Sequence, residues 1–260
     1  IAALLKSKGN ETNLFDYTET EPFSLINEQD KARLPSNIVD AYPLSAMQAS
    51  MFYHMALSDT NQLYHCTGTT RFTINQPFNP VAFYTAVQNT VAAHDVYKTS
   101  FDFETFSEPL QLVHNYAELP TVIEDISYLD EQAQNKVIMT LLETEKRTPF
   151  DLSQPTLLRY FIHLRSDTSF QFTMTECHPI FDGWSYHSMI VEVFNRYMCI
   201  VDNRPYEEKN QGRFRYRDFV ALEHRVSQDT EHQQFWQDQL ADLTVTRLPR
   251  LMATNSEKAH

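Results

Sequence analysis

The segment Glu176-Cys177-His178-Pro179-Ile180-Phe181-Asp182-Gly183-Trp184-Ser185 sets an imidazole four residues before a carboxylate and a glycine. A histidine is the side chain best suited to accept or donate a proton near neutral pH. Residues 169–175 alternate as a strand and residues 186–198 follow a helical period, so His178 falls on a strand-to-helix turn. Gly183 would give that turn its backbone freedom. Asp182 would fold back under it, and Asp or Ser here also suits a helix N-terminus. Cys177 precedes His178 directly. Adjacent strand residues point to opposite faces, so the two do not form a nucleophile–base pair, and Cys177 reads as a packing thiol at the edge of the site.

The elements around this turn follow from periodicity and turn chemistry. Residues 6–38 are polar, lack a sustained period and carry Pro22 and Pro35, and so read as a linker. Residues 46–57 have helical spacing through Met47, Met51 and Met55, a stripe expected to pack into the core. Residues 64–74 read as a strand, and 80–94 as a helix with Asn79 as cap and Pro80 at its first position. A strand pair is expected over 96–103 and 109–114, a helix over 131–147, and a hairpin over 156–164 and 169–177. Two more helices are expected over 216–226 and 230–240. Strands and helices in this rhythm predict an α/β (α+β) sandwich.

Composition narrows the function classes. The chain has 260 residues, 42% of them hydrophobic and 13% aromatic, enough for a sizeable core. A net charge of −13 argues against nucleic acid, which is gripped by clustered cations. No signal-peptide pattern or membrane-length apolar run occurs, so neither a membrane nor secretion is expected. Cys66, Cys177 and Cys199 have neither disulfide nor zinc spacing, which predicts a reducing cytoplasm. The other histidines show no H-E-x-x-H spacing and no Gly-rich phosphate loop is present, so no metal or nucleotide cofactor is expected.

Cys177-His178-Pro179-Ile180-Phe181-Asp182-Gly183 resembles the H-H-x-x-x-D-G motif of nonribosomal peptide synthetase condensation domains, with Cys177 in place of the first histidine. Further matches follow in that family's order. Tyr42 to Gln48 is similar to its Pro-Leu-Ser/Thr-x-x-Gln opening. His94 to Phe101 is similar to R-H-E-x-L-R-T-x-F, with Ala93 and Lys98 replacing its arginines. Pro149-Phe150-Asp151-Leu152 through Leu158-Arg159 resembles the segment before the central strands. Tyr216-Arg217-Asp218-Phe219 resembles Y-x-D-F, and Phe235-Trp236 to Leu240 the helix after it. The resemblance runs over roughly residues 22–251.

It implies a single chloramphenicol-acetyltransferase-like lobe, with the second lobe missing from the chain. The implied division is the end of a carrier-protein helix over 1–9, a linker over 10–38, the amino-terminal lobe over 39–226, and a helix and crossover toward the missing lobe over 227–260. It also implies that an acyl or peptidyl thioester on an upstream carrier protein is joined to the amine of an amino acid on a downstream one. Both substrates ride on phosphopantetheine, and the domain itself binds no cofactor. His178 would be catalytic, as a proton acceptor or as a donor to the tetrahedral intermediate. Asp182 would be structural, paired with Lys98 or with its rival Arg159, and Gly183 would support the turn. Cys177, Trp184, Ser185 and Tyr186 would line the site, with ordinary packing of the helix start the alternative for Trp184 and Tyr186. The fragment alone is expected to be inactive without its partner lobe. Other readings are a non-catalytic module that docks carrier proteins or a partner enzyme, and an ester-forming or epimerising relative. Heterocyclisation is disfavoured, because it would call for Asp at position 177.

Overall fold

The computed structural model describes residues 19–58, 63–208 and 215–244. In chain order the elements are α1 (Glu28–Lys31), β1 (Ile38–Pro43), α2 (Ala46–Leu57), β2 (His65–Thr73), α3 (Pro80–Ala93), β3 (Thr99–Asp102), β4 (Leu110–His114), β5 (Thr121–Asp125), α4 (Glu131–Glu145), β6 (Leu158–Ser166), β7 (Ser169–Cys177), α5 (Gly183–Val201), α6 (Tyr216–Gln228) and α7 (Thr230–Leu240). One sheet has the order β1-β4-β3 and is antiparallel. The other has the order β2-β7-β6-β5, antiparallel except for the parallel β5–β6 pair. The described residues up to 221 form one compact unit. Those from 222 form another, in which α7 is capped by the Asp229 side chain and carries Phe235 edge-on to Trp236.

β7 is buried along its whole length because helices cover both faces of its sheet. On one face Phe170, Phe172 and Met174 pack with Phe83 and Val87 of α3 and Met189 and Val193 of α5. The alternate face is polar and largely hydrogen-bonded, apart from the buried His163 Nδ1 opposite Gln171. Thr173 pairs with Thr69, Arg165 bonds Gln134 and Asn135 of α4, and Gln134 also donates to the carbonyls of Ile126 and Arg165. Glu176 belongs by parity to the apolar face, which carries a carboxylate into the core beneath α5.

The two sheets are tied where β1 turns into α2. Ser45 and Gln48 form a reciprocal capping box at the start of α2. The buried Gln48 amide also meets Gln111 of β4: Gln111 Nε2 donates to Gln48 Oε1 at 2.9 Å and to the Pro43 carbonyl at 3.0 Å. Gln48 Nε2 donates in turn to the Pro179 carbonyl at 3.3 Å, inside the turn that carries His178. The first residues of α6 join the same knot. Tyr216 Oη lies 3.0 Å from Ser45 Oγ, Arg217 pairs with Asp40 at 2.7 Å, and Asp218 accepts from the backbone of Thr20 and Arg215.

Several expectations are corrected. The described part of the expected linker is packed: Phe23, Ile26 and Leu34 lie against Ile38, Ala41 and Leu110, and buried Asp30 bonds the Ser107 hydroxyl. Expected features at 1–9 and beyond 244 fall outside the described residues. The methionine stripe is only partly core: Met55 packs against the buried cluster of Phe52, Phe101 and Leu157. Met47 is exposed, and α2 buries Gln48 and Phe52 instead, so the stripe faces cavities. The strand expected from 96 begins only at Thr99, because residues 95–98 form a 3-10 turn held by Lys98 on Asp95 and the Ala92 carbonyl. β1 and β5 were not anticipated. β5 is short and half-exposed, which leaves little pattern to read.

These contacts set two unequal costs. Gln48→Leu strands buried partners and should lower the unfolding free energy by about 1–3 kcal/mol. Asp182 caps α5 through Ser185 N at 2.7 Å from an exposed position, so Asp182→Ala should cost only about 1 kcal/mol. Urea denaturation of the chain reads both. A loss of 3 kcal/mol or more for Asp182→Ala (the scale of about 3–5 kcal/mol expected on breaking a buried charge pair) would contradict the capping assignment.

Candidate active site

His178 lies one residue past β7 and still continues its ladder. Its N–H donates to the Tyr64 carbonyl at 2.8 Å, and its own carbonyl accepts from Phe181 N at 3.0 Å. Residues 178–180 make a single 3-10 turn, with Pro179 at a position where no N–H is needed. The turn is then pinned from three sides. Gln48 holds the Pro179 carbonyl, Tyr97 packs edge-on against Phe181 at 5.7 Å, and Asp182 caps the helix that follows.

The imidazole is one-third exposed and opens onto a cavity of about 530 Å³. Its walls include Met47 and Met51 of α2, Gln111, Ile180, Ser185 and the α6 residues Tyr216 and Phe219. His178 Nδ1 is 3.2 Å from Glu176 Oε1. The two residues are two apart and project on the same face of the strand, so the contact follows from strand geometry. Glu176 is buried, its Oε2 has no hydrogen-bond partner, and burial raises its carboxyl pKa above the ordinary value. In the tautomer with its proton on Nδ1, the ring would donate to Glu176 and leave the Nε2 lone pair free.

Cys177 points the other way. It is buried with Phe52, Phe101 and Leu157, and it lines a separate apolar cavity of about 540 Å³. Burial, with the Glu176 charge adding to it, pushes the thiol up to about 12, so it has almost no thiolate character near neutrality.

The other expected site residues divide. Ser185 lines the His178 cavity, while Tyr186 faces a smaller one with Cys66, Gly68 and Glu176. Trp184 is 82% exposed and lines none of these cavities, so neither site lining nor packing of the helix start describes it. The pairing expected for Asp182 is not made. Lys98 pairs with Asp95, and Arg159 with Glu145 at 2.8 Å while lying over the Phe150 ring. The exposed Asp182 carboxylate has its pKa held down chiefly by its hydrogen bonds from Ser185. Gly183 begins α5 without a positive φ, so conformational freedom is not its role. A side chain there would meet nothing within 4 Å.

Sequence reasoning passed over Glu176 as a partner of His178, although the i, i+2 spacing on a strand was a readable signal. It also missed that Gln48 and Tyr97, from separate motifs, converge on one turn, and that Tyr216 lines the cavity beside it. His94, too, reaches α5, through Glu192 at 2.9 Å.

Comparison with known proteins places the fold and the family. The family model "Condensation domain" matches residues 38–259. The chain is 28% identical over 235 residues, 89% of its length, to the AMB antimetabolite synthetase AmbE of Pseudomonas aeruginosa, of which it covers 11%. It is 27% identical over 224 residues to gramicidin S synthase 2 of Brevibacillus brevis, covering 85% of this chain and 5% of that one. In fold it is similar to the starter condensation domain of rhizomide synthetase RzmA, with a TM-score of 0.66 at 16% identity over 80% of this chain and 52% of that structure. The first condensation domain of the CDA synthetase is equally similar, with a TM-score of 0.66 at 15% identity over 78% and 51%. The chain thus spans about half the length of those solved domains and a small part of the synthetases. Its mixed α/β fold with two sheets is that of one condensation-domain lobe. From the family match together with this fold, the chain belongs to the condensation-domain family of nonribosomal peptide synthetases.

Proposed function

We propose that this chain supplies the histidine-bearing lobe of a site that forms an amide between two carrier-bound substrates. The donor is an acyl or peptidyl thioester on an upstream phosphopantetheine arm. The acceptor is the amine of an aminoacyl group on a downstream arm. The observation that carries this reading is His178 on the wall of the cavity of about 530 Å³, with its Nδ1 3.2 Å from a buried carboxylate.

A thioester is already activated, so the main task is to hold two tethered reactants together while charge changes at nitrogen. The amine nitrogen attacks the thioester carbon and the carbon–sulfur bond breaks. Nε2 of His178 takes the proton released from nitrogen and returns it to the departing arm's sulfur. Glu176 holds the ring in the tautomer that leaves Nε2 basic and favours the imidazolium that forms. The partners are the two carrier domains and a second lobe that completes the channel, and the domain holds no cofactor of its own. Among the described residues no helix is long and apolar enough to cross a membrane. A cytoplasmic setting belongs to the same proposal.

In the intact synthetase, His178→Ala should slow condensation by about two to four orders of magnitude while carrier loading stays normal. Cys177→Ala should retain most of the activity, because its thiol faces away from the imidazole. Product formation followed by mass spectrometry separates these outcomes. Wild-type rates from His178→Ala would refute the catalytic assignment, and an equal collapse with Cys177→Ala would make the thiol a participant.

A further inference from the structure

The ladder between β2 and β7 places Cys66 directly opposite Glu176, with His178 two residues further along the same face. One ligating atom from each of the three lies within 4.8 Å of the others. In a tetrahedral zinc site, with bonds of about 2.0–2.3 Å, ligand atoms stand roughly 3.5 Å apart, so small side-chain rotations close the set. We propose that Cys66, Glu176 and His178 form a binding site for a thiophilic divalent cation of the zinc class, with a fourth position left to water or a substrate atom.

Two independent features support a cation there. Glu176 is only 5% exposed, yet its Oε2 has no hydrogen-bond partner. An unsatisfied buried carboxylate oxygen is costly, and a bound cation removes that cost. Cys66, by contrast, is exposed on the edge strand, and with Glu176, Gly68 and Tyr186 it lines a cavity of about 280 Å³ that offers an entry. One thiolate, one imidazole and one carboxylate is a donor set that favours zinc or cobalt over magnesium or calcium. Chain spacing conceals the site, because Cys66 lies far from Glu176 in sequence and meets it only through strand pairing.

The consequence rests on the catalytic reading of His178. An imidazole bound to the cation, and no longer held by Glu176, cannot carry the proton between amine and thiol. Cation binding would therefore switch condensation off, reversibly. Cys66 lies outside the machinery proposed for catalysis, so removing its thiol separates the two properties.

The direct test uses cobalt(II) as the probe on the 260-residue chain. A stoichiometric thiolate-to-cobalt absorption band is expected, abolished in Cys66→Ser and weakened at least tenfold in affinity in Glu176→Gln. Thermal denaturation of each variant without metal confirms that it is folded. No thiolate band in the parent chain, or an unchanged band in folded Cys66→Ser, would overturn the site. In the intact synthetase, zinc should inhibit condensation in the parent and far less in Cys66→Ser. Equal inhibition of both would overturn the regulatory role. Cobalt bound with its thiolate band but no inhibition by zinc would leave the site standing and refute His178 as the proton carrier.

Discussion

The reciprocal hydrogen bonding of the Gln48 and Gln111 amides is the constraint on which the rest of the lobe depends. It lies in the interior, where leaving either amide unpaired costs more than the bond itself is worth in water. Each amide reaches beyond its partner, Gln111 to the last carbonyl of β1 and Gln48 to the carbonyl of Pro179. The small sheet, the start of α2 and the His178 turn are thus tied to one another. A shift of about an ångström in any of them would break a buried bond. The same tie explains why a glutamine three residues after a serine matters in the opening segment: it caps a helix and locates a distant histidine together.

A second consequence follows from the parity of β7. The strand that buries Phe170, Phe172 and Met174 must carry its next same-face residue toward the core, and that residue is Glu176. A carboxylate there is desolvated, which raises its pKa, and its Oε1 lies 3.2 Å from His178 Nδ1, so the orientation of His178 rests on a polar contact as well as on packing. Cys177, on the alternate face, joins an aromatic cluster and stays protonated. Two consecutive residues therefore face two different cavities, which divides the position proposed as reactive from a packing one within a single peptide unit.

Much of this was legible in the sequence, for physical reasons. Long periodic stretches with caps, such as α3 behind Asn79 and Pro80, state their own boundaries. The β6–β7 hairpin was visible because apolar residues alternate along β7 and a polar turn separates it from β6. Contacts between distant segments were not. The partners of Asp182, Lys98 and Arg159 depend on which charges the fold brings near, and each found a local or different one. Of the methionines of α2, Met55 packs on the core while Met47 and Met51 line a cavity, because periodicity identifies a face and not what covers it. The meeting of Cys66 with Glu176 requires the strand register, which composition does not contain.

The central claim is that Nε2 of His178 stands at the reacting amine. The most direct measurement is a crystal structure of the complete condensation domain with a non-reactive aminoacyl pantetheine analogue on the acceptor side. The account predicts the analogue's amine nitrogen at about 3 Å from His178 Nε2, directly or through one water, with Nδ1 still on Glu176. An amine bound on the Cys177 side, beyond reach of the imidazole, would contradict it.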